Sequence, residues 1–239
     1  MITIQTLDKP DLGKIKMNCD NVINTKLLEY PMIADVWATN SFNVVVGKMG
    51  QGKTSFVTSL VKKVFKKCFE TIIIIIPPNS RKSIENDIYG KHLAPDQIYD
   101  TLNATILNEV YEKLQDNSSE EYNTLLIIDD FQSQMKDPVT LNTLQKIITK
   151  MRHLRCTIFL LQQNFQALHK SLRELMSNLV IFNLGKSQLT KILDEMIQLD
   201  KNKYQELIEL GFQNKHDWLL FNFHKSKKVY RNFDEILFH

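Results

Sequence analysis

A chain of 239 residues is ample for one α/β domain with a large core, and its 43% hydrophobic and 24% charged fractions are those of a soluble globular protein. The longest purely apolar runs, such as Ile72 to Ile76, are too short to span a bilayer, and no signal peptide opens the chain. Cys19, Cys68 and Cys156 form neither a C-x-x-C pair nor an even disulfide set, so reduced thiols in a cytosol-like compartment are expected and a metal site built on them is not; the net charge of +3 is too mild to establish a nucleic-acid partner.

In chain order, Met1 to Gln5 alternates apolar and polar as an edge strand does, and the polar stretch Asp8 to Asp20 shows no strong period. Residues 1–40 are read as an N-terminal extension and 41–239 as one domain, with no dividing linker. The sheet proper begins at Phe42 and runs through Val44, Val45 and Val46 into a glycine-rich loop with helix-forming sequence behind it. Thr71 to Ile76 is a β-branched strand stopped by Pro77 and Pro78. Ser80 to Tyr122 is expected to be helical in parts, with an exposed polar break from Asp116 to Glu121. Leu125 to Ile128 reads as a buried parallel strand ending in Asp129 and Asp130. Leu141, Leu144, Ile148 and Met151 mark an amphipathic helix after Pro138. Thr157 to Leu161 and Leu179 to Phe182 are further strands, with an amphipathic segment through Phe165, Leu168, Leu172 and Leu175 between them. Trp218 to Phe223 and Lys228 to Tyr230 close the chain as a hairpin. Strands spaced by helices predict an α/β fold with a mainly parallel, doubly covered sheet and a ligand at the carboxyl ends of the strands.

The glycine-rich loop carries the chemistry. Gly47-Lys48-Met49-Gly50-Gln51-Gly52-Lys53-Thr54-Ser55 matches G-x-x-x-x-G-K-T, the P-loop that binds a nucleoside triphosphate. Its glycines let backbone N–H groups curl around anionic oxygens, the helix presents its positive end, Lys53 reaches the β and γ phosphates, and Thr54 ligates magnesium. Asp129 and Asp130 form a Walker B pattern: Asp129 is assigned to the magnesium ion and Asp130 to the attacking water. Adjacent acids on a strand point to opposite sides, so both serve the site only if the strand end turns there; otherwise Asp130 caps the next segment.

The strand Thr157 to Leu161 ends in Gln162 and Gln163. A strand inserted between the P-loop and Walker B strands is the hallmark of the additional-strand ATPases, and a polar side chain at its tip can sense the γ phosphate. Gln163 is the first candidate for that sensor and Gln162 the second, with a cap or surface role as the alternative for either. Arg152, Arg155 and Arg173 are candidates for an arginine finger given to a neighbouring subunit, Arg152 first, against surface ion pairs as the plain alternative. Lys62, Lys63, Lys66 and Lys67 gather on one helix and Lys225, Lys227 and Lys228 at one turn; either set can touch a phosphate backbone or simply face solvent.

Together these features resemble the viral genome-packaging ATPases of the FtsK/HerA superfamily, the poxvirus-type enzymes of giant viruses and virophages. The similarity lies in Asn40-Ser41-Phe42-Asn43 leading into the P-loop strand, the Asp129-Asp130 pair, and Met151-Arg152-His153-Leu154-Arg155 ahead of the sensor strand. It continues through Gln163 to Lys170 with Arg173 after it, and through the tail Tyr230-Arg231-Asn232-Phe233-Asp234. Two positions depart: His169 stands where many relatives have proline, and Asp130 where many superfamily members have glutamate. The resemblance implies a P-loop NTPase of the additional-strand, RecA-like type that uses ATP and Mg2+. It further implies a hexameric ring that hydrolyses ATP at subunit interfaces and drives double-stranded DNA into a preformed capsid. Such a motor grips the DNA backbone without reading sequence, docks on capsid protein, and works in the host cytoplasm or viral factory, or associated with the virion. The alternatives are a P-loop kinase, for which no compact arginine-bearing lid is seen, and a nucleotide-dependent switch that does not translocate DNA.

Overall fold

The computed structural model describes residues 23–82, 84, 88–197, 202–223 and 228–238. The expected edge strand Met1 to Gln5, the polar stretch to Asp20, Cys19, Lys225 and Lys227 lie outside the described residues. Among the described residues nine strands form one sheet: β1 Phe42–Val46, β2 Thr71–Ile75, β3 Ile98–Tyr99, β4 Thr124–Asp129, β5 Cys156–Gln162, β6 Asn178–Phe182, β7 Trp218–Asn222, β8 Val229–Arg231 and β9 Asp234–Ile236. Their order is β3-β2-β4-β5-β1-β6-β7-β8-β9. The first six run parallel, and β7, β8 and β9 are added antiparallel, so the terminal hairpin is present and is extended by one more strand.

The apolar runs are continuous because both faces of the sheet are covered. The pleat sends alternate residues of one strand to opposite layers. Val44 and Val46, Ile73 and Ile75, Leu126 and Ile128, and Ile158 and Leu160 enter one core. Val45, Ile72 and Ile74, Leu125 and Ile127, and Phe159 and Leu161 enter the other. The first core is closed by the helices Ala104–Ser119, Pro138–Thr149, Lys186–Met196 and Asn202–Gly211. The second is closed by the P-loop helix Lys53–Leu60, which continues through a π-helical turn, Val61–Phe65, into a last turn at Lys66–Cys68. Two short helices, Thr25–Leu28 and Pro31–Val36, pack Leu27, Val36 and Trp37 into the same layer, so this part of the expected extension is continuous with the domain core.

Local chemistry fixes the helix starts. Asp137 accepts from the Thr140 N–H at 2.8 Å with Pro138 at the first helical position, and Asn103 accepts from the Ile106 N–H at 2.9 Å. The structure also differs from the sequence reading around Asp116, after β5 and at the end of β5. Asp116 to Ser119 is the last turn of a helix rather than a break, because the Ser118 and Ser119 hydroxyls bond back to the carbonyls of Gln115 and Asp116; the chain turns away only at Glu121, with φ 61°. The segment after β5 is two separate turns, Phe165–Ala167 and Lys170–Arg173, although Phe165, Leu168 and Leu172 are buried as the period required. The strand β5 also runs one residue further than expected, through Gln162.

Candidate nucleotide site

The inserted strand brings three strand ends together. β5 lies between β1 and β4, with Val46 opposite Gln162 and Asp129 opposite Leu161. The Gly47 N–H donates to the Gln162 carbonyl at 3.1 Å, and the Asp130 N–H points to the Leu161 carbonyl at 3.4 Å. The loop between β1 and its helix is built by glycine for two reasons. Gly52 has φ 106°, in the left-handed region, and a side chain at Gly47 would put its Cβ 2.9 Å from that of Phe182. The Lys53 side chain, 9% exposed, folds back over this loop, its ammonium donating to the carbonyls of Gly47 at 2.7 Å and Lys48 at 3.2 Å. Burial lowers the Lys53 pKa, and the opposite charges of Asp129 and Asp130 resist that shift.

The Thr54 hydroxyl donates to Asp129 Oδ2 at 2.8 Å. Asp129 is 3% exposed, and burial pushes its carboxyl up to about 6 against the lowering effect of the Thr54 hydrogen bond and Lys53. The next residue, Asp130, has φ 62°: the strand end does turn, and both acids line the same cavity. Gln163 Nε2 donates to Asp130 Oδ1 at 2.6 Å. Gln162, by contrast, stays in the strand at 1% exposure, its amide nitrogen 3.9 Å from the Met135 sulfur, and does not line the cavity. The cavity measures about 470 Å3, within the usual range for a bound cofactor.

The paired oxygens of Thr54 and Asp129 are hard donors, the kind that suit magnesium. Among the described residues no group of three or more His, Cys, Asp or Glu side chains forms a metal cage. That is the donor set expected where an ion is held by one or two protein oxygens together with phosphates.

The three candidate arginines are placed differently. Arg152 is exposed in the turn before β5, so the length of the seven-residue strand, roughly 20 Å, separates it from its own cavity. Arg155 pairs with Glu121 at 3.6 Å. Arg173 is held within its own chain: it pairs with Glu195 at 2.7 Å, donates to the Leu168 carbonyl, and lies over the Phe165 ring at 5.3 Å. Lys62, Lys63, Lys66 and Lys67 are exposed, while Lys228 pairs with Glu235 at 2.8 Å. Sequence reasoning missed Asn79 and Ser80 beyond β2, and His216 before β7, all of which line the cavity. No spacing rule connects them to a P-loop, since sheet topology alone brings them there. Among the described residues no helix is long and apolar enough to cross a membrane.

Comparisons with known proteins agree with this architecture. The fold is shared with the DNA-packaging ATPase B204 from Sulfolobus Turreted Icosahedral Virus at 14% identity, over 84% of this chain and 99% of that one, with a TM-score of 0.59. The genome packaging NTPase B204 from Sulfolobus turreted icosahedral virus 2, in complex with ATP-gammaS, aligns at 16% identity over 83% of this chain and 98% of that one, with a TM-score of 0.58. The cytoplasmic domain of the Thermomonospora curvata Type VII Secretion ATPase EccC aligns at 11% identity over 83% of this chain but 24% of its own length, with a TM-score of 0.53. No curated protein matches by sequence. The family model described as Poxvirus A32 protein matches residues 34–217, from the second short helix to the turn before β7 and across every residue that lines the cavity. That match spans well over half of the sequence, and the chain belongs to the poxvirus A32 protein family.

Proposed function

We propose that this chain is a genome-packaging ATPase that couples ATP hydrolysis to the movement of double-stranded DNA into a capsid. The observation that carries the reading is the convergence of Thr54 with Asp129, and of Gln163 with Asp130, on one P-loop cavity in a chain of the poxvirus A32 family. The solved proteins that share the fold support it, one named as a DNA-packaging ATPase and another as a packaging NTPase in complex with ATP-gammaS.

The P-loop from Gly47 to Ser55 cradles the triphosphate, and the Lys53 ammonium exchanges its loop carbonyls for phosphate oxygens. Thr54 and Asp129 hold magnesium, which when bound offsets the negative charge that builds on the phosphates. Asp130 accepts a hydrogen bond from the attacking water and orients it. Gln163, already bonded to Asp130, feels the loss of the γ phosphate through that contact and passes it to the segment after β5. Arg152 stands too far along β5 to serve its own cavity and acts as the finger on a neighbouring subunit's site in a hexameric ring. DNA is gripped by its backbone, since a packaging motor must pass every sequence.

Displacement of a third strand from a triplex placed at the end of long duplex DNA tests the coupling. ATP-dependent displacement that disappears in Lys53→Ala is expected. Hydrolysis of ATP by the assembled ring without displacement would reject translocation while leaving the ATPase in place.

A further inference from the structure

The turn before β7 adds one residue to the wall of the nucleotide cavity. Trp218 at the start of β7 pairs with Phe182 at the carboxyl end of β6, so the turn before β7 lies at the same edge of the sheet as the P-loop. In that turn His216 lines the cavity, and its Nδ1 is 3.1 Å from the Gln51 carbonyl oxygen of the P-loop. The turn is held firmly. Asp217, 6% exposed, accepts from the Asn214 N–H at 2.8 Å, from Arg231 at 2.9 Å and from the Asn232 amide at 3.1 Å. The Asn232 Oδ1 in turn accepts from the Trp218 N–H at 3.2 Å. Arg231 closes β8 and Asn232 opens the turn after it, so the terminal hairpin fixes where the imidazole sits.

Position and tautomer together fix what the imidazole meets. Asp129, Asp130 and Gln163 follow β4 and β5, and the Thr54 hydroxyl bonds to Asp129, which marks the β4 and β5 side of β1 as the end of the terminal phosphates. His216 arrives from β7, on the β6 side, across the loop from them. A carbonyl oxygen only accepts, so the hydrogen of the neutral ring is on Nδ1, and Nε2 presents a lone pair. A lone pair pairs with donors, such as ribose hydroxyls or the exocyclic amine of a base, and not with phosphate oxygens.

We infer that His216 is a specificity-determining contact to the nucleoside part of the bound nucleotide, with Asp217 as its positioning residue. The inference rests on the nucleotide reading of the P-loop. The test compares dissociation constants for ATP and for inorganic tripolyphosphate, both with magnesium at pH 8, by titration calorimetry. In His216→Ala, ATP binding should weaken about three- to tenfold, the worth of one hydrogen bond, while tripolyphosphate binding is unchanged. Asp217→Asn, which touches no part of the cavity, should shift the same ratio in the same direction. Equal weakening for both ligands in His216→Ala, or no weakening for ATP, would overturn the assignment. Failure of the wild-type protein to bind either ligand, or undiminished binding of both by Lys53→Ala, would instead bring down the nucleotide reading and this inference with it.

Discussion

Asp129→Asn gives the sharpest test of the site's electrostatics. Burial raises the Asp129 carboxyl from its ordinary 3.8 to about 6, against the opposing effects of the Thr54 hydrogen bond and Lys53. A raised carboxyl pKa means that the folded chain holds the proton more tightly than the unfolded chain. Its contribution to stability is therefore complete below pH 3.8 and is lost as the pH rises through about 6. A shift of roughly two units corresponds to about 3 kcal/mol between the protonated and ionised forms. Asparagine at this position does not ionise. Urea denaturation in EDTA, without nucleotide, should find the stability difference between Asp129→Asn and wild type moving by about 2.5 kcal/mol in favour of the variant between pH 4 and pH 8. Costs that do not depend on pH, such as a poorer partner for the Thr54 hydroxyl, cancel in that comparison. A difference that stays flat across the range would show that the carboxylate is well solvated and refute the argument. In the presence of magnesium and ATP the same variant should lose hydrolysis.

Other substitutions separate the remaining roles. Gln163→Ala removes the partner of Asp130 and should lower kcat by about 10-fold to 10²-fold with little change in ATP affinity; an unchanged kcat in steady-state assays would remove Gln163 from the mechanism. Arg152→Ala should leave nucleotide binding intact and reduce hydrolysis by about 10³ to 10⁵, and full activity would reject it as the finger. Gly47→Ala forces a Cβ to within 2.9 Å of the Phe182 Cβ, backbone-proximal on both sides, and should destabilise the fold by about 1 to 3 kcal/mol in thermal or urea unfolding.

The parallel core was legible in the sequence because each strand is buried on both faces and so appears as an unbroken apolar run, as in Ile72 to Ile75 or Leu125 to Ile128. The P-loop was legible because its glycines and its lysine are bound to fixed spacings by phosphate geometry. Strand β3 was not, since two half-buried residues carry no period, and β9 is too short and too exposed to stand out. The helices Lys186–Met196 and Asn202–Gly211 bury only narrow stripes among charged residues, Leu189, Ile192 and Leu193 in the first and Tyr204 and Leu207 in the second, and so carry a weak signal. The conditional reading of Asp130 shows where sequence stops: the period of a strand puts neighbouring acids on opposite faces, and only the left-handed backbone at φ 62° brings them together. His216 belongs to the same class, because its place in the cavity depends on β7 pairing back against β6.

The coupling of nucleotide chemistry to DNA is tested most directly by the steady-state ATPase rate of the assembled protein with and without long double-stranded DNA, at low and moderate salt, with Lys53→Ala as the control. Stimulation by DNA that fades as salt rises, and no hydrolysis in the control, is the predicted result. A rate that DNA leaves unchanged at every salt concentration would contradict the motor and favour a kinase or a nucleotide-dependent switch.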